Sequence, residues 1–147
     1  LYNLNSTGLR FFTVYGEWGR PDMAYYSFTE KILNNEQIEV YNYGKVERDF
    51  TYIDDIVTGI KASIEKNFSY EIFNLGNSKK EKVLDLIKVI ENKLDKKAKI
   101  VLKPLKSGDV KSTNADITKS SKMLGYNPKT NIDTGLGKFI KWYLDYA

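Results

Sequence analysis

Apolar residues recur along this chain in two rhythms, and the alternation between them predicts a mixed architecture. Leu9 to Tyr15 is a nearly continuous apolar and aromatic run of strand length, the pattern of a strand buried on both faces in a parallel sheet. A loop punctuated by Gly16, Gly19 and Pro21 follows, with Asp22 placed to cap a helix whose Tyr25, Phe28, Ile32 and Leu33 form one apolar stripe. Asn34-Asn35 ends that helix. Ile38-Glu39-Val40-Tyr41 reads as a short strand leading to a turn at Tyr43-Gly44, and Phe50 to Ile53 has the β-branched and aromatic content of another. Ile56, Val57, Ile60 and Ile64 predict a packed helix through about Lys66. Glu71 to Gly76 alternates and closes on glycine as a strand does, and Ser78-Lys79-Lys80-Glu81 has the form of a capping box ahead of a helix presenting Val83, Ile87, Ile90 and Leu94. Ile100 to Leu102 is the next strand; Lys103 to Thr113, with Pro104 and Gly108, is a polar loop. Asp116 caps a short helix ended by Gly125 with Leu124 facing inward. Thr130 or Asp133 starts a final helix with Leu136, Phe139, Ile140, Tyr143 and Leu144 on one face. Strands interleaved with helices make the fold class α/β.

Composition narrows the chemistry. At 147 residues the chain has the size of one domain and can bury a real core. It contains neither cysteine nor histidine, which removes disulfides, thiolate nucleophiles, the commonest metal ligand and the commonest general base. The net charge of +4 arises from lysines spread over helices and loops. A nucleic-acid binder would concentrate them on one face, so nucleic acid is not the expected partner. No apolar run approaches the roughly 20 residues that span a bilayer, and no signal-peptide pattern opens the chain. A cytoplasmic location is the default.

The stretch from Gly44 to Val57 gathers a turn, a cation, a strand and an acidic helix start. Gly44 permits a positive φ. Arg48 offers a planar fork of donors suited to phosphate or carboxylate, and Asp54 and Asp55 stand where a helix N-terminus favours negative charge. Taken alone, Arg48 and Asp49 read equally well as surface charges beside a buried strand. Glycine-rich phosphate turns are missing: Gly16-Glu17-Trp18-Gly19 and Gly135-Leu136-Gly137 are isolated pairs with turn or packing roles. Tyr41 and Lys45 stand four apart, but the strand pattern before them and Gly44 between them argue against a catalytic Tyr-Lys pair on a helix.

Gly44-Lys45-Val46-Glu47-Arg48-Asp49-Phe50-Thr51-Tyr52-Ile53-Asp54-Asp55-Ile56-Val57 resembles the GKxxRDFTYIDDIV segment of the nucleotide-sugar epimerases of the extended short-chain dehydrogenase family, nearest by motif to the UDP-glucuronate 4-epimerases. Thr7 to Ala24 is similar to the same family's TGLRFFTVYGPWGRPDMA, departing only at Glu17, where the family usually has Pro. Weaker similarity runs to Ala147.

The resemblance implies the C-terminal, UDP-sugar-gripping portion of an NAD-dependent epimerase. Residues 1–20 would be a residual Rossmann strand and loop, and 21–147 mostly the smaller substrate lobe. Leu1 to Asn5 correspond there to the end of the helix bearing the catalytic Tyr and Lys. With that helix and the glycine-rich turn absent, the resemblance implies that the chain does not turn over substrate or hold NAD alone. A stand-alone binding or assembly module and part of a related dehydratase or decarboxylase remain as alternatives. The implied ligand is UDP-glucuronate or UDP-galacturonate. Phe12 would abut the nicotinamide, or be core; Thr13 would contact the substrate. Arg20 would approach the sugar or its carboxylate, or pair with Asp22. Glu39 and Tyr41 would flank the uracil, and Arg48 would bind the diphosphate. Lys106 would meet the phosphates and Asp109 the ribose hydroxyls, unless both belong to a solvated turn. Tyr15 and Trp18 are read as packing residues. The apolar strand at 9–14, short of sheet partners, implies self-association through its edge.

Overall fold

The computed structural model describes residues 3–146. Leu1 and Tyr2 of the helix end implied by the resemblance lie outside the described residues, and Asn3 to Asn5 take no regular conformation.

The apolar run at 9–15 makes two strands where the pattern suggested one. β1 (Ser6–Phe11) pairs in parallel with β5 (Tyr70–Leu75), and β2 (Thr13–Tyr15) pairs in parallel with β4 (Glu47–Tyr52). The chain changes sheets at Phe12. Burial on both faces is not realised in β1: Phe11 is 50% exposed, and β5 is the strand that pairs with β1 among the described residues. β4 is the hub: its other edge takes β6 (Lys80–Lys82) in antiparallel register, with Arg48 opposite Glu81. A third sheet joins β3 (Gln37–Val40) to β7 (Lys99–Leu102) in parallel.

Helices α1 (Ala24–Leu33), α2 (Ile53–Lys66), α3 (Val83–Leu94), α4 (Thr118–Leu124) and α5 (Ile132–Tyr146) cover these sheets. Several of their starts differ from expectation. Asp22 makes no cap; Met23 holds that position without a side-chain bond, and Asp22 pairs with Arg20. The capping box at 78–81 does not form, because Lys80 to Lys82 are drawn into the ladder with β4 and the helix opens only at Val83. Asn131, rather than Thr130 or Asp133, accepts the Thr134 N–H at 2.8 Å. Asp116 does accept the Thr118 N–H at 3.0 Å, and Gly125 closes α4 at φ 71°. In α2 the period is right but the face is rotated. Ile56, Gly59 and Ser63 are buried, whereas Val57 and Ile64 face outward. Gly59 sets that rotation, since a Cβ there would meet Leu75 Cδ1 at 2.7 Å.

The apolar residues gather into packed clusters. Tyr15, Tyr25, Phe50, Tyr52, Leu86 and Phe139 join β2 and β4 to α1, α3 and α5. Ile38, Val40, Val46, Val83 and Ile87 fill the space between β3 and α3. Ile56, Phe73, Leu75, Leu124 and Tyr126 join β5 to α2 and α4. No helix among the described residues is long and apolar enough to cross a membrane.

Candidate functional site

Alternation along β4 sends consecutive charges to opposite sides. Asp49 points inward, is fully buried, and was not a surface charge after all. Its carboxylate accepts the N–H of Asn77 at 2.7 Å, of Ser78 at 2.9 Å and of Ala115 at 2.9 Å, and the Thr51 hydroxyl at 3.1 Å. A buried carboxylate persists only when donors replace its water, and here they do. The Ala115 bond ties the chain after Asp109 to β4, helped by Glu47 N–H donating to the Lys111 carbonyl at 3.0 Å and Thr113 N–H to the Glu47 carbonyl at 3.3 Å.

That tethering brings Asp109 to Arg48, 61 residues away in sequence, with Nη2 to Oδ1 at 2.7 Å. Arg48 Nη1 donates to the Glu47 carbonyl at 2.9 Å, and Val110 N–H donates to the same Asp109 oxygen at 2.8 Å. Both side chains line a cavity of about 450 Å3 whose polar rim also carries Thr13, Asp22, Glu39 and Tyr41. Its apolar wall comes from Met23, Phe28, Val40, Val46, Phe50 and Val83. Such a volume and lining are those of a small-molecule site.

Tyr41 lies one residue beyond β3, not inside it as expected. Its hydroxyl donates to Glu39 at 2.8 Å, and with Lys103 at 3.5 Å it holds the Glu39 carboxyl below the usual carboxylate range. Lys106 does not line the cavity. Its ammonium sits 4.1 Å from the centre of the Tyr41 ring, and Tyr41 raises its pKa. After Tyr41 the chain makes a single 3-10 turn at Asn42–Gly44 with Tyr43 at φ 51°, so Tyr41 and Lys45 are not stacked on an α-helix. Gly44 at φ 80° is required there, because a Cβ would stand 2.4 Å from Leu84 Cδ1.

Phe12 and Arg20 line a neighbouring cavity of about 470 Å3, with Met23 shared between the two. Phe12 is half-buried in its wall. Arg20 donates twice to Asp22, at 2.7 and 3.0 Å, an exposed pair that lowers the Asp22 pKa through its hydrogen bond first and its charge second. Trp18, read as packing, is 80% exposed and leans on Trp142; Tyr15 is buried.

The NAD dependent epimerase/dehydratase family model matches residues 1–76, about half of the chain. The chain belongs to that family. It is 57% identical to an uncharacterized protein of Methanocaldococcus jannaschii over 99% of its own length and 44% of that protein's, and 47% identical to UDP-glucuronate 4-epimerase 4 of Arabidopsis thaliana over 99% and 37%. The crystal structure of the Bacillus cereus UDP-glucuronic acid 4-epimerase in complex with UDP-glucuronic acid and NAD superposes with TM-score 0.89 at 35% identity, covering 95% of this chain and 45% of that one. The Thermotoga maritima UDP-glucose 4-epimerase with UDP-glucose superposes with TM-score 0.91 at 31% identity, over 98% and 47%. The chain therefore spans less than half the length of these relatives, and its α/β fold is that of the extended short-chain dehydrogenase epimerases.

Sequence reasoning missed the apolar wall and Asp49. Val83 enters from another element, so no local pattern could mark it. Asp49 left one trace, a carboxylate in the middle of a strand of β-formers.

Proposed function

We propose that this chain is the UDP-sugar-binding portion of an NAD-dependent nucleotide-sugar 4-epimerase, with UDP-glucuronate or UDP-galacturonate as its ligand. The observation that carries the reading is the meeting of Arg48 and Asp109 at 2.7 Å in a cavity that Glu39 and Tyr41 also line. A guanidinium whose Nη2 already holds a carboxylate keeps its plane fixed, with donors left for a diphosphate. In this reading Arg48 takes the diphosphate and Asp109 the ribose hydroxyls. Glu39 and Tyr41 flank the uracil, Lys106 adds charge at the phosphate end, and Thr13 and Arg20 address the sugar across Met23. The nucleotide-cofactor side takes in residues 1–20, and β5, which pairs with β1, extends it with α2 and α4 packed on it beyond the range expected from sequence; most of the remainder is the substrate lobe.

NAD fits this chain at one wall only. Phe12 offers an apolar surface, packed so that a Cβ on Gly76 would stand 3.3 Å from its ring. No glycine-rich strand-turn-helix cradles a pyrophosphate among the described residues, so no step is assigned to the cofactor here.

Thermal denaturation with UDP, UDP-glucuronate, NAD and DNA tests the reading. A ligand at a hundred times its dissociation constant stabilises by about 2.7 kcal/mol. UDP and UDP-glucuronate raise Tm, NAD and DNA do not, and Arg48→Ala abolishes the UDP shift. Equal shifts in wild type and Arg48→Ala would remove the diphosphate assignment. The chain alone, supplied with NAD, leaves UDP-glucuronate unconverted.

A further inference from the structure

We infer that Glu17 is a positioning residue, holding the loop that carries Arg20 in the stance from which its guanidinium addresses the sugar end of the ligand. The inference rests on the nucleotide-sugar reading above and deepens it.

The residues from Gly16 to Gly19 are hemmed in by Ile53, Tyr25, Tyr52 and Trp142. Gly16 runs at φ 147°, and a Cβ there would meet Ile53 Cγ2 at 2.5 Å. The Tyr25 hydroxyl donates to the Gly16 carbonyl at 3.2 Å and fills the space beside Gly19, where a Cβ would lie 1.6 Å from it. Trp18 adopts φ 59°, a conformation that costs a bulky residue energy, and its ring rests 5.1 Å from Trp142 and 6.3 Å from Tyr146. Arg20, the next residue with a side chain, is exposed at the cavity rim, where its guanidinium pairs with Asp22.

Glu17 supplies the charged anchor. The Tyr52 hydroxyl lies 2.7 and 2.9 Å from its two carboxylate oxygens. Tyr52 is the last residue of β4, the strand that presents Arg48, and is 2% exposed, with its ring edge-on to Tyr15 at 5.6 Å. Burial first, and Glu17 second, push the Tyr52 phenol pKa well up, so the hydroxyl keeps its proton and remains a donor. Lys138, 4.8 Å from the Tyr52 ring centre and 3.3 Å from Asp54, closes the group from α5. Hydrogen bonds to a charged partner are the strong class. The contact therefore couples the loop of the sugar cavity to the strand of the nucleotide cavity.

Calorimetric binding of UDP and of UDP-glucuronate to the chain separates positioning from stability. UDP affinity stays within about twofold of wild type in Glu17→Ala and Tyr52→Phe, whereas UDP-glucuronate affinity falls roughly tenfold, as in Arg20→Ala. Glu17→Gln, which keeps an acceptor, retains most of it. The double variant Glu17→Ala/Tyr52→Phe loses no more than either single one. Equal losses for the two ligands, unchanged UDP-glucuronate binding, or failure of both single variants to fold would overturn the positioning role. A wild-type chain that binds neither nucleotide would instead overturn the nucleotide-sugar reading, and this role with it.

Discussion

Asp49 places a carboxyl group in the interior with no exposed surface, and the donors around it decide what happens when it changes. Asn at this site would turn an NH2 group toward backbone N–H groups that themselves need acceptors, leaving at least one buried donor unpaired. The cost is about 2 to 4 kcal/mol, read as a lower denaturant midpoint at unchanged slope. The segment bearing Asp109 loosens with it, so UDP binding weakens beyond what Arg48 alone provides. The donors of Asn77, Ser78 and Ala115 lie 28, 29 and 66 residues downstream. That separation is why the residue read as a surface charge from its neighbours while Arg48, whose chemistry is intrinsic to its side chain, was legible as a site candidate.

Among the elements, α5 contains two glycines that look alike in sequence and differ in their surroundings. A Cβ at Gly135 would stand 2.1 Å from the Tyr15 hydroxyl, which is held in place by donating to the Asn131 carbonyl at 3.3 Å. At Gly137 the nearest atom is Lys93 Cε at 3.7 Å, an ordinary contact. Alanine improves helix propensity at both by up to ~1 kcal/mol, but overpacking costs about 1 to 3 kcal/mol at the first. Gly137→Ala therefore raises Tm and Gly135→Ala lowers it, a sign difference that thermal denaturation reads directly. Helix existence was legible for all five helices because apolar period survives local error. Starts and faces were less so. The ladder with β4 outcompetes the capping box at 78–81, and the close approach of Gly59 to Leu75 turns α2 off the stripe drawn through Val57 and Ile64.

Over the whole molecule, buried phenols govern the response to alkali. Burial raises the pKa of Tyr15, Tyr52 and Tyr126 above their ordinary value, with nearby carboxylates adding to it. The unfolded chain releases those protons near pH 10 and the folded chain does not, so stability is intact below about pH 10 and falls as pH rises beyond it. Phenolate absorbance followed with Tm shows exposed tyrosines titrating first and the buried ones only with unfolding. The outer edge of β1 has no strand partner among the described residues, with Phe11 and Leu4 exposed nearby. An open apolar edge recruits a second strand, and light scattering at rising concentration shows mass above that of one chain. Lys or Pro at Phe11 reduces it.

Sequence alone determined the α/β class, the helices and longer strands after Pro21, and the candidacy of Arg48, because periodicity, glycine placement and side-chain chemistry are local properties of the chain; Asp109 was a candidate only through its likeness to the family's loop, and β6 went unread. Only the tertiary structure decided that 9–15 divides between two sheets, that Asp49 is buried and anchors the segment after Asp109, and that Glu17 meets Tyr52. Those outcomes depend on backbone donors, strand edges and space supplied by residues far along the chain, and no window of sequence contains both partners.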